Sequence, residues 1–236
     1  MVGTLAALPY LLLGKHASAG ILATGIGILA LSAVLLWLAV WLGGRACKVW
    51  PLRTPWLDAL LGQGAWPADT ARQVRRSLLL GLAVGTVTLL LASVLPPLGD
   101  SGARVRPAPA WAELLSALFG GITEEIYLIW CVLPVSAVIL RALLRLQPGA
   151  AHAGLPPALF WTANALAALV LGILHLPGVL GATTATAALV LQTLLLYGAP
   201  GLVYGWLFRR SGLEMAMLAH LVADLCLHAS QVMSAG

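Results

Sequence analysis

The run Gly120-Gly-Ile-Thr-Glu-Glu-Ile-Tyr-Leu-Ile-Trp-Cys-Val-Leu133 places two adjacent carboxylates, Glu124 and Glu125, inside an apolar stretch. With its neighbours it forms an apolar segment from 111 to about 133, long enough to span a bilayer as an α-helix. At the centre of such a helix each carboxylate costs roughly 2.5–3.5 kcal/mol on insertion scales. The chain holds only eight acidic residues, so spending two of them there points to a function. An intramembrane carboxylate is expected to face a bundle interior or a wet cavity. Successive residues of an α-helix lie about 100° apart. One Glu should therefore face the cavity and the other a neighbouring partner.

The rest of the chain agrees with a membrane setting. Of its 236 residues 61% are hydrophobic and 9% charged, against about 25% charged in a soluble domain. Only helices or closed barrels span bilayers, and long apolar runs without period-two alternation select helices. The expected fold is all-α, a polytopic bundle of about six transmembrane helices over 19–43, 77–96, 111–133, 158–176, 181–208 and 213–232. Seven or eight result if residues 1–14 insert or if Gly198-Ala-Pro-Gly201 splits the fifth span. Pro134 should kink the third span, whose helix runs on to Arg141 and Arg145. Residues 1–110 read as N-terminal helices with a basic, Trp- and Pro-rich loop at 45–76, and 111–232 as a second bundle carrying the polar residues, the two forming one integral domain. Six of the thirteen Lys and Arg residues lie in 45–76, which assigns that segment to the cytoplasm. Arg104 and Arg106, on the outer side, weigh the other way.

No basic stretch carries interleaved aromatics, so nucleic acid is not an expected partner. Cys47, Cys131 and Cys226 are scattered and odd in number and imply no disulfide framework. Glu214 with Arg209-Arg210 reads as a solvated turn.

Besides the Glu pair, His175, His220 and Asp224 fall at membrane depth. His220, Asp224 and His228 are spaced i, i+4, i+8 and share one helix face. A carboxylate with two imidazoles can activate a water, bind a divalent metal such as zinc or relay protons. The residues alone leave these three open.

These motifs, in this order, resemble the CPBP (Abi) family of CAAX-prenyl-protease and bacteriocin-processing intramembrane endopeptidases. The resemblance rests on the Glu pair, on Gly172-Ile-Leu-His175, and on the stretch from Gly201 through Arg209-Arg-Ser-Gly212 to His220-Leu-Val-Ala-Asp224. It covers about 110–230. It implies hydrolysis of a peptide bond in a transmembrane or lipid-anchored substrate, by a multi-pass protein of a cell membrane, here a bacterial inner membrane. By position, Glu124 would activate the water with help from His175. His220 and Asp224 would hold the substrate carbonyl and its oxyanion, and Glu125 would brace its neighbour. No cofactor is required. If a metal were bound, Glu124, His175, His220 and Asp224 would be its ligands.

The chain departs from the family pattern Glu-Glu-x-x-x-Arg by placing Ile129 at the arginine. Leu128 stands at the usual aromatic position, Trp130 at the glycine and Leu171 at the expected Phe. Glu125 then needs a different partner, such as Arg141, Arg209 or Arg210, or a proton of its own. This departure motivates an alternative, an impaired scaffold or immunity protein that binds a membrane partner without turnover. Buried ionisable groups alone would also suit a proton-coupled transporter.

Overall fold

The structure, a computed structural model, describes residues 19–48, 52–95, 110–146, 156–180 and 186–234. Expectations for residues 1–14, the loop 98–109 with Arg104 and Arg106, and most of the connector 147–157 lie outside the described residues. Within them every regular element is helical. The elements are α1 (Ala19–Cys47), the short α2 (Pro55–Leu60), α3 (Thr70–Val94), α4 (Ala110–Phe119), α5 (Leu133–Leu143), α6 (Pro157–Leu180), α7 (Ala187–Thr193), α8 (Ala199–Ser211) and α9 (Leu213–Ser234). Six helices among the described residues are long and apolar enough to cross a membrane. The fifth runs as one crossing over Ala187–Ser211, so Gly198-Ala-Pro-Gly201 does not split it into two.

Two of the six crossings are interrupted by wider, π-helical turns. Gly120–Glu124 and Ile126–Val132 join α4 to α5, and Leu194–Gly198 joins α7 to α8. In each crossing a proline follows at the second residue of the next α-helix, Pro134 in α5 and Pro200 in α8. A proline cannot donate to the carbonyl four residues back, and its ring crowds that carbonyl. Widening the preceding turn to i→i+5 bonding accommodates it. The disturbance expected at Pro134 is accompanied by a π-helical stretch before it, and that stretch carries the Glu pair.

Small residues set the helix spacing. The buried residues of α3 are Ser77, Gly81 and Gly85, four apart on one face. A Cβ on Gly85 would lie 2.9 Å from the Cβ of Cys226 and 3.0 Å from the carbonyl oxygen of Ala223. Small residues at such spacing let helix backbones approach closely where water supplies no driving force. A second seam joins α6 to the fifth crossing: Gly201 meets Ala168, and Gly205 leaves room for the Asn164 side chain. Asn164 is fully buried and its Nδ2 donates to the Leu202 carbonyl at 3.0 Å.

The apolar core fills one half of the bundle. It gathers Leu128, Ile129, Leu133, Phe160, Leu207 and Phe208 with residues around them. Outside that core, α1 is tied to the second π stretch by Tyr127 Oη donating to the Ser32 carbonyl at 3.1 Å and Trp130 Nε1 to that of Val40 at 3.3 Å. At the end of the bundle beside the core, α2 docks on the first turn of α9. The backbone N–H groups of Trp56 and Leu57 donate to Glu214 Oε1 at 3.1 and 2.8 Å, and that of Leu213 to the Arg53 carbonyl at 3.1 Å. Glu214 is therefore an anchor for α2 rather than part of a solvated turn. Arg209 and Arg210 are exposed as expected, and lie over the rings of Phe160 and Trp206.

Candidate active site

A cavity of about 520 Å³ opens among α3, α4, α6, α8 and α9. Glu124, His175, His220 and Asp224 all line it, so four of the five residues singled out from sequence share one chamber. The fifth, Glu125, stands behind the wall and is 1% exposed. Its Oε1 lies 2.8 Å from Nδ1 of His220. The two adjacent carboxylates are divided as the helix geometry requires, one toward the cavity and one toward a partner.

That partner corrects an expectation. None of Arg141, Arg209 and Arg210 serves Glu125. Arg141 Nε donates to the Leu146 carbonyl, and the other two lie over aromatic rings. His220 takes the place. Ile129, at the family's arginine position, is instead 1% exposed within the apolar core. The second oxygen of Glu125 is buried with no hydrogen-bond partner among the described residues.

His220 sits between two acids. Its Nε2 is 3.6 Å from Asp224 Oδ2, one helical turn on. Its Nδ1 is held by Glu125, and its Nε2 has Asp224 beside it at the cavity wall. Tyr204 fixes the plane of that ring, stacked on it with centroids 4.5 Å apart and 14° between planes.

His175 is built differently. Its Nδ1 lies 2.9 Å from the Leu171 carbonyl. A carbonyl only accepts, so the hydrogen is on Nδ1 and, in the neutral ring, Nε2 keeps its lone pair. Tyr197 stacks on this ring at 4.1 Å and 13°. Two tyrosines seven residues apart thus each hold one imidazole.

The glycines before the acids explain how α9 comes so close. A Cβ on Gly120 would run into the Asp224 carboxylate, and one on Gly121 would lie 2.8 Å from the backbone of Leu221. His228, on the same helix face as His220 and Asp224, lines the cavity farther along α9.

Among the described residues, no three His, Cys, Asp or Glu side chains gather as a group that could hold a metal ion. Nδ1 of His220 is taken up by Glu125 at 2.8 Å, while its Nε2 lies 3.6 Å from Asp224, outside hydrogen-bond reach. The chemistry proposed below is derived from side chains and water. A second hollow, about 560 Å³, lies at the Arg53, Arg209 and Arg210 end and contains no imidazole.

Residues 106–226, just over half of the chain, match the family described as type II CAAX prenyl endopeptidase Rce1-like. The chain belongs to this family. The Rce1-like match supports a membrane protease, in a multi-pass protein whose lipid setting follows from its six apolar crossings. It takes in all five site residues and excludes α1 to α3. No curated protein and no solved structure matches the chain.

Sequence reasoning missed several parts of this Rce1-like site. Tyr197 and Tyr204 belong to none of the motifs above, and their seven-residue spacing is the one signal in the sequence that places them on a shared face. The Ser77, Gly81, Gly85 stripe was legible as a small-residue pattern. It brings α3 in as one wall of the cavity through Val84, Thr88 and Ala92.

Proposed function

We propose that the chain hydrolyses a peptide bond of a membrane-anchored substrate, with Glu124 as general base. The observation that carries this is the split between the acids, Glu124 lining the chamber while Glu125 is bound to His220. Only Glu124 of the pair is placed to meet a water and a substrate.

Glu124 takes a proton from a water as its oxygen adds to the scissile carbonyl carbon. His175 Nε2 accepts the water's other hydrogen and orients it. The carbonyl oxygen, now an oxyanion, is met by His220 Nε2–H. A fixed donor aimed at developing charge in a dry site is worth far more than the same donor in water. Collapse of the adduct breaks the C–N bond, and the proton held on Glu124 passes to the leaving amine. The water's second proton, only hydrogen-bonded to His175 throughout, passes from the new acid to the amine, so the products are carboxylate and ammonium termini and the enzyme returns to its starting state. Asp224, an acceptor when ionised, holds His220 in its charged form rather than donating to the oxyanion itself. Glu125 holds the same ring from the other nitrogen.

The test compares membrane proteomes of cells carrying the native protein or Glu124→Gln. An anchored protein should accumulate uncleaved in the variant, with cleavage reduced by about 10²–10⁴-fold, the usual contribution of a general base. Full processing by a stably folded Glu124→Gln protein would remove Glu124 from this role.

A further inference from the structure

The cavity is confined to one half of the bundle, and the charge of the chain marks which half. Arg45, Lys48 and Arg53 end or follow α1, Arg72, Arg75 and Arg76 open α3, Arg141 and Arg145 end α5, and Arg209 and Arg210 close α8. Contacts bring these ends together. Arg53 bonds to Leu213, Arg209 lies over Phe160 in the first turn of α6, and Trp206 shares a hollow with Arg72, Arg75 and Arg76. Ten of the thirteen Lys and Arg residues therefore belong to one end. Lys15, Arg104 and Arg106 flank the opposite helix ends in sequence.

Every residue lining the catalytic chamber lies well away from the basic end. The deepest, His220 and Tyr204, are seven residues from Leu213 and Ser211, about 10 Å at 1.5 Å per residue. From there the lining runs to Ala92 on α3, Ser116 on α4 and Ser230 on α9, each within two turns of the far end. Between the chamber floor and the arginines lies the apolar core of Leu133, Phe160, Leu207 and Phe208, and α2 is fastened across that end by Glu214. Short loops rich in Lys and Arg stay in the cytoplasm.

We infer that the chamber opens on the side of the membrane away from the cytoplasm. On the function proposed above, its substrate class is then a peptide segment of a membrane-anchored protein exposed on, or entering from, the extracytoplasmic face. A peptide free in the cytoplasm meets the plugged end and is not a substrate.

Accessibility tests this without any turnover, so its outcome is independent of whether the protein proves to be a hydrolase. Cys47, Cys131 and Cys226 are replaced by Ala, and single cysteines are introduced as Thr88→Cys, Ser230→Cys and, at the basic end, Gln63→Cys. Intact cells are treated with a membrane-impermeant maleimide. Thr88→Cys and Ser230→Cys should be labelled from outside, and Gln63→Cys only after permeabilisation. The reverse pattern overturns the inference. Should the cysteine-free chain not accumulate, fusions to the C-terminus of the unaltered protein decide the same point, because α9 ends at the chamber side. Alkaline phosphatase fused there should be active and a green fluorescent protein dark. A fluorescent fusion with inactive phosphatase overturns the inference.

Discussion

Nδ1 of His220 and Oε1 of Glu125, 95 positions apart in the chain, meet at 2.8 Å behind the wall of the chamber. The pair is buried on both sides, with Glu125 1% and His220 6% exposed. It does for Glu125 what an arginine at position 129 would otherwise do. It also binds the two helices that carry the chemistry.

Removing one partner of such a pair strands the other. Glu125→Ala should lower stability by about 3–5 kcal/mol, read as a fall in the unfolding temperature of the detergent-solubilised protein. Glu125→Gln should recover part of the loss, because its amide oxygen still accepts from the imidazole. An unchanged unfolding temperature in the Ala variant would show that the pair holds nothing together.

Ile129→Arg tests the departure from the family pattern directly. Position 129 is enclosed by apolar side chains, and His220 already occupies Oε1 of Glu125. The new charge should destabilise by about 3 kcal/mol or more and should not raise activity. Gain of activity with retained stability would mean that Glu125 was waiting for an arginine.

His175→Phe keeps a ring to stack on Tyr197 and deletes the nitrogen that faces the water. Turnover should fall by about 10²-fold or more, with the unfolding temperature little altered. Equal turnover in a reconstituted cleavage assay would restrict His175 to packing.

Gly120→Ala puts a methyl group where the Asp224 carboxylate lies. Overpacking of this kind typically costs about 1–3 kcal/mol, and here it also displaces the acid that holds His220. Activity should fall more than stability does. A variant with native turnover would show that α9 can move aside without harm.

Glu214→Ala releases the two backbone donors of α2. Hydrogen bonds to a charged group contribute about 1.5–3 kcal/mol each at most, so the segment 52–64 should become faster to cleave in limited proteolysis. Its distance from the chamber means that turnover should stay within about twofold, well inside the range left by surface changes. Unaltered proteolysis would remove Glu214 as the anchor.

The architecture was largely legible because lipid imposes one demand, that backbone groups be satisfied within each helix. Apolar length alone then located the six crossings, and misplaced their ends by a few residues. Thr70 rather than residue 77 begins α3, for example, since Arg72, Arg75 and Arg76 extend the helix beyond its apolar part. The division between Glu124 and Glu125 also followed from helical geometry. Which residue Glu125 would meet did not, because His220 reaches it through tertiary packing that depends on Gly120 and Gly121. A glycine pair in an apolar run signals close approach without naming what approaches. The π-helical turns were hidden for a similar reason. Pro134 announced a disturbance in the ladder, but its form depends on how the neighbours satisfy the freed carbonyls.

Helix α3 borders the chamber with Val84, Thr88 and Ala92, although the family match begins at residue 106. The groups proposed to break the bond and part of the chamber wall are thus encoded in separate stretches of the gene. On the proposed function, drift in the first hundred codons would redirect which protein is cut while leaving the cutting itself intact, so two members with indistinguishable acids and imidazoles need share no target.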